Sequence, residues 1–148
     1  MPSAVVRASV AEYIRLVRSV SFDFSVQKQW LEKAYTYMST PAARGFLDAY
    51  YTGDNKVNNP FKLAEDGFSV SVEVTNAVAL SKDSWQVDWT EVKRDRNGAS
   101  AGTKNFRAIL GIKIAPPQTR DEVSQNPLGL TVSNIQWSAV STVEGVKQ

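Results

Sequence analysis

The sequence predicts an α+β domain in which three N-terminal helices cover one face of a curved, four-stranded antiparallel sheet. Two observations carry this. Apolar residues recur at three- and four-residue spacing through the first third of the chain, then change to a period of two after residue 67. The alternating runs are joined by turn-rich segments, and helices followed by such a run of strands make a helix layer on a sheet. At 148 residues, 43% hydrophobic and 22% charged, the chain fits one packed domain and is too apolar for a disordered one. No internal repeat, low-complexity tract or linker divides it, so residues 1–148 are expected to form a single unit.

The first helix is predicted from Val6, Val10, Tyr13, Ile14 and Val17, with Arg7, Glu12, Arg15 and Arg18 mostly between them. Phe22-Asp23-Phe24-Ser25 interrupts it. Ser25 is then expected to cap a second helix carrying Val26, Trp30, Ala34 and Met38 on one side. Thr40-Pro41 starts a third, with a capping hydroxyl ahead of a proline at the first helical position. Phe46, Leu47, Tyr50 and Tyr51 face inward there, and Gly53 ends it. Residues 54–67, holding Asn58-Asn59-Pro60 and Asp66-Gly67, are expected to be a loop.

Phe68, Val70, Val72 and Val74 alternate with Ser69, Ser71 and Glu73, as a strand with one buried face requires. Trp85, Val87 and Trp89 form a second such series, and Phe106, Ala108, Leu110, Ile112 and Ile114 a third. Leu130 and Val132 open a fourth, which Ile135 and Trp137 continue on the opposite parity. A strand facing one core changes parity only through an extra residue, so a bulge is predicted near Ser133-Asn134. Residues 94–98 make a hairpin end, and 116–126 join the last two strands.

Composition excludes several chemistries. Without cysteine there is no disulfide, thiolate metal site or thiol nucleophile. Without histidine the commonest general base and the commonest transition-metal ligand are both missing. Asp88 lies on the parity opposite to Trp85, Val87 and Trp89 and should face away from the interior; Glu91 shares their parity but is expected at the strand end. No glycine-rich phosphate loop or acidic metal cluster is present, so no catalytic, cofactor-binding or metal-binding residue is assigned. Net charge is only +2, and the basic hairpin end (Lys93, Arg94, Arg96, Lys104, Arg107) has no aromatic platform between its charges. It reads as a solvated loop, and direct contact with nucleic acid is not expected. Trp30, Trp85, Trp89 and Trp137, with Tyr35, Tyr37, Tyr50 and Tyr51, read as core rather than as the lining of a ligand cavity.

Asn126-Pro127-Leu128-Gly129 matches a type I turn, with proline presetting φ and glycine taking whatever φ the exit demands. It is the candidate structural turn and interface motif. No apolar run approaches the roughly 18 residues that span a bilayer, and Met1-Pro2-Ser3 lacks the layout of a signal peptide. The chain instead enters a helical pattern almost at once, an abrupt start expected of a cut boundary rather than a natural beginning.

Several motifs, in order along nearly the whole chain, resemble those of TrbF-type conjugal-transfer proteins in the wider VirB-eight group of type IV secretion components. They are Ile14 to Ser21, Trp30 with Ala34-Tyr35, Ser84 to Glu91, Pro116-Pro117, Asn126-Pro127-Leu128-Gly129-Leu130 and Ile135 to Ser138. The resemblance implies a nuclear-transport-factor-like fold. It implies the periplasmic domain of a bitopic inner-membrane protein, whose transmembrane helix and cytoplasmic tail are absent from this sequence. It further implies a non-catalytic scaffold without cofactors that self-associates weakly, as dimer or trimer, and touches other channel proteins. The Asn-Pro-Leu-Gly turn is that family's hallmark. Two departures concern partner contacts: Thr131 stands where relatives often carry an aromatic residue, and Phe106 where they carry tryptophan. The alternative is a small-ligand-binding or isomerase-like domain of the same cone-shaped fold.

Overall fold

The computed structural model describes residues 3–142, so Met1 and Pro2, part of the opening segment read above, lie outside it. Among the described residues, helices α1 (Ser3–Arg18), α2 (Phe24–Thr36), α3 (Pro41–Lys56) and α4 (Pro60–Glu65) precede strands β1 (Ser69–Ser81), β2 (Ser84–Arg94) and β3 (Ser100–Ile114). Helix α5 (Arg120–Gln125) separates β3 from β4 (Leu130–Thr142). The strands form one antiparallel sheet in the order β1-β2-β3-β4. Helix α1 lies against β1 and β2, α3 against β4, and α2 against α1. The core fills the space between helices and sheet; Tyr13, Ile14, Leu47, Trp89, Leu110 and Leu130 are fully buried in it.

The stripe predicted for α1 is buried throughout, and Arg7 Nε ties the helix to the sheet by donating to the Ala77 carbonyl at 3.0 Å. Helix α2 departs from expectation. Its cap is Asp23, not Ser25: one Asp23 carboxylate oxygen accepts from the Ser25 and Val26 amides at 3.0 and 3.3 Å. A carboxylate also complements the positive helix end, which a hydroxyl does not. The buried residues of α2 are Gln27 and Ala34; Val26 and Trp30 are half-buried, and Met38 lies beyond the helix end. Gln27 is buried because its amide closes the α1–α2 connection, accepting from Ser21 N at 2.8 Å and donating to the Ser19 carbonyl at 3.1 Å.

Helix α3 starts as predicted, with the Thr40 hydroxyl accepting from Ala43 N at 3.1 Å and Pro41 in the first turn. Its regular part breaks at Gly53, and Asp54, Asn55 and Lys56 follow with φ of 51°, 59° and 63°. The expected loop over 54–67 contains α4, capped by Asn59, whose side-chain oxygen accepts from Phe61 N and Lys62 N. Asn59-Pro60 repeats the cap-then-proline pattern of Thr40-Pro41. In the same way α5, inside the expected connection 116–126, starts with a reciprocal capping box between Thr119 and Glu122.

In β2, Trp85, Val87 and Trp89 face inward as predicted, and in β3 so do Ala108, Leu110 and Ile112, while Ile114 is exposed at the strand end. Edge strand β1 runs further than its valine alternation, because a bulge between Val74 and Asn76 moves burial to Ala77. In β4, Val132 pairs with Ile112 and Asn134 with Gly111, so Ser133 is the extra residue. Leu130, Val132 and Ile135 are thereby all buried, and Trp137 packs against the same core. The irregularity is bonded in place: the Ser133 carbonyl accepts from the Thr40 hydroxyl at 2.5 Å, and Val132 exchanges backbone bonds with Tyr37 and Ser39.

Candidate functional site

The turn motif forms the corner where the β3–β4 connection enters β4. Gly129 N donates to the Asn126 carbonyl at 3.0 Å, closing the four-residue turn. Gly129 has φ +73°, and a Cβ there would sit 1.9 Å from the Ala115 carbonyl oxygen. Both facts demand glycine, one through conformation and one through space. The same two segments are bonded, since Ala115 N donates to the Gly129 carbonyl at 2.9 Å. Asn126, 9% exposed, donates from Nδ2 to the carbonyl of fully buried Leu130 at 2.6 Å. Leu128 packs against the core, whereas Pro127 is exposed. Asn126 and Gly129 therefore set the shape of the corner, and Pro127 is its outward-facing member. Asn126 and Gly129 also form one wall of a groove of about 470 Å³, shared with Ala115, Pro117, Glu122 and Thr131.

A second constellation lies at the C-terminal end of α1, and the sequence reading passes over it. Arg18, grouped there with the polar residues between apolar positions, is only 7% exposed. Its Nε pairs with Glu91 Oε2 at 2.5 Å, an oxygen that also accepts from Trp89 Nε1 at 2.8 Å. Aromatic rings surround the guanidinium, whose carbon lies 4.3 Å from the centroid of Phe106, 4.8 Å from Trp137, 4.9 Å from Tyr50 and 5.7 Å from Trp89. Those rings hold one another, with Trp89 stacked on Phe106 and Trp137 edge-on to both Tyr50 and Trp89. Burial pushes the Tyr50 hydroxyl above its ordinary pKa, and the Arg18 charge pulls it partly back.

This corrects the expectation for Glu91. Strand β2 continues to Arg94, so Glu91 stands inside the strand, and its inward parity carries it to the buried arginine. Periodicity marks apolar positions, and nothing local to either segment records that a cation on α1 and an anion on β2 meet after folding. Asp88 behaves as predicted: on the opposite face it accepts from Arg107 Nε at 2.7 Å. The eight aromatics lie in the core or pack against it, but Tyr50, Trp89 and Trp137, joined by Phe106, also enclose Arg18, and Tyr50 and Tyr51 line a cleft.

Outside the Arg18–Glu91 pair opens a cleft of about 340 Å³, lined by Tyr51, Val57, Asn58, Lys93 and Lys104 among others. The hairpin cations are largely engaged within the fold. Lys93 stands 4.3 Å over the Phe68 ring, Arg94 donates to Ser71 Oγ at 2.9 Å, and Arg96 donates to the carbonyls of Ala64 and Glu65. Among the described residues no three acidic side chains group as metal ligands. Nor, among them, is any helix long and apolar enough to cross a membrane.

The chain is similar to known proteins. The model of the VirB8 protein family matches residues 2–140. A conjugal transfer protein TrbF of Rhizobium radiobacter is 39% identical over 137 residues, covering 91% of this chain and 60% of the relative. The chain thus spans about three fifths of that relative's length. Among solved structures, VirB8 of Agrobacterium tumefaciens superposes with a TM-score of 0.81 at 19% identity, covering 95% of this chain and 96% of the other. A TrwG component of the type IV secretion system of Bartonella birtlesii gives 0.77 at 16% identity, covering 93% and 92%. These likenesses establish the nuclear-transport-factor-like α+β fold that the sequence led us to expect.

Proposed function

This chain belongs to the VirB8 family, and from that premise we propose that it is a non-catalytic scaffold component of a type IV secretion or conjugal DNA-transfer channel. It works as the periplasmic domain of an inner-membrane protein, by weak self-association and by contacts with other channel proteins. The observation favouring a scaffold over a small-ligand pocket is that the charged groups Arg18 and Glu91, bordering the cleft, are already paired within the fold. Where a cone-shaped fold can hold a ligand, this chain places its own Arg18, neutralised by Glu91 and enclosed by four aromatic rings. The Asn126–Gly129 corner supports the interface role, being over-determined in shape and presenting Pro127 outward.

Removed from a membrane, such a domain loses the high effective concentration that anchoring in one plane provides. It is expected to be monomeric at micromolar concentration and to form dimers or trimers only near millimolar, an association of about 4–6 kcal/mol. Sedimentation equilibrium across that range, on wild type and Asn126→Ala, is the test. A wild type that stays monomeric at millimolar concentration removes self-association, and an Asn126→Ala protein that associates normally removes the corner's part in it.

A further inference from the structure

We infer that Glu91, Trp89, Tyr50, Phe106 and Trp137 form a guanidinium-recognition site, and that Arg18 is its built-in occupant: α1 is fastened to the sheet as a ligand is fastened to a receptor. This goes beyond the role in a secretion channel and does not depend on it.

The parts are those by which a guanidinium is distinguished from other cations. A planar, weakly hydrated cation gains from aromatic faces that an ammonium, strongly hydrated and compact, engages less well. Here four rings lie within 5.7 Å of the guanidinium carbon. The anionic end is oriented before the cation arrives, because the Trp89 indole N–H donates to the same Glu91 oxygen that takes Arg18 Nε. The rings also brace one another through Trp89–Phe106 stacking and the edge contacts of Trp137 with Tyr50, Trp89 and Phe46. The receptor wall comes from β2, β3, β4 and α3, while the occupant comes from α1, 73 positions from Glu91. A buried ion pair of ordinary kind would need only the two charges. The enclosing rings, each on a different element, make the site selective for shape as well as sign.

Three variants of the whole chain test this, read by thermal melting and by the fluorescence of the cage tryptophans. Arg18→Lys keeps the charge and loses the planar fork; it should lower the melting midpoint by about 5 °C or more. If Arg18→Lys melts with wild type, the site recognises charge alone and the inference fails. Arg18→Ala empties the site, and millimolar guanidinium or methylguanidinium chloride should raise its midpoint and shift its tryptophan emission, with wild type unmoved. Ammonium chloride and urea at equal concentration should do neither. Equal responses to guanidinium and ammonium, or none to guanidinium, overturn the inference. Should Arg18→Ala not fold, Glu91→Gln decides: it preserves shape and must melt below wild type, and a wild-type midpoint would sink the proposal.

Discussion

At position 129 the φ of +73° and the Ala115 carbonyl oxygen, 1.9 Å from any added Cβ, act on the same residue. Gly129→Val should therefore cost about 3 kcal/mol or more, since backbone strain and a clash with backbone add. Urea denaturation measures it, and a loss below about 1 kcal/mol would contradict the corner described above. Asn126→Ala should cost about 1–3 kcal/mol, more than an exposed turn bond, because it leaves the carbonyl of buried Leu130 unpaired. Tyr13 points the other way. Its hydroxyl is buried without a hydrogen-bond partner, the one such side-chain polar atom among the described residues. Tyr13→Phe should leave stability unchanged or raise it by up to about 1 kcal/mol, since no bond is lost and a desolvated hydroxyl is removed. A clear drop in the denaturation midpoint would show that the hydroxyl has a function the geometry does not reveal.

Elements carry a second tier of consequences, of which the β4 bulge is the clearest. Ser133 lets Leu130 and Val132 share a face with Ile135 and Trp137. Deleting it should turn Ile135 and Trp137 to the outer face and abolish cooperative unfolding, whereas Ser133→Ala, which keeps the residue count, should unfold like wild type within about 0.5 kcal/mol. Circular dichroism melts of the pair separate the two cases. This bulge was legible in the sequence because parity is a strictly local record of which face a strand buries. The inward faces of β2 and β3 were legible for the same reason, the stripe of α1 from its three- and four-residue spacing, and the start of α3 from the Thr40-Pro41 cap. Short helices α4 and α5 were not, since six residues hold too few turns for a period; only their caps, Asn59-Pro60 and Thr119 with Glu122, announced them. Asp23 was overlooked beside Ser25 because both residue types cap helices and the choice rests on which amides fall within reach. The turn at 126–129 was visible as a turn, whereas the approach of Gly129 to the Ala115 carbonyl, between segments that meet only on folding, was not. The Arg18–Glu91 pair was invisible, because its meaning arises only when distant segments meet.

For the whole molecule, the missing histidines leave no side chain whose ordinary pKa lies near neutrality, so stability should be flat between about pH 6 and 9. The alkaline side differs. Burial raises the pKa values of Tyr13, Tyr37 and Tyr51, and for Tyr37 the bond to the Glu12 carboxylate adds to it. A group whose folded pKa exceeds its unfolded one stabilises fully below the unfolded value. Above about pH 10 the unfolded chain gives up protons that the folded chain keeps, so stability must fall as pH rises further. Urea midpoints constant from pH 6 to 9 and dropping above about 10 are the expected result, and a slope between 6 and 8 would contradict it. Connectivity has a further consequence, in time rather than energy. The sheet pairs only neighbours in sequence, so each hairpin can close as soon as its second strand exists. The end of α1 must wait for Glu91, 73 residues downstream. At the roughly 5–20 residues per second of protein synthesis, Arg18 stands without its carboxylate partner for about 4–15 s. The α1 stripe can pack on α2 and β1 within that interval, so the Arg18–Glu91 pair closes after those apolar contacts have formed.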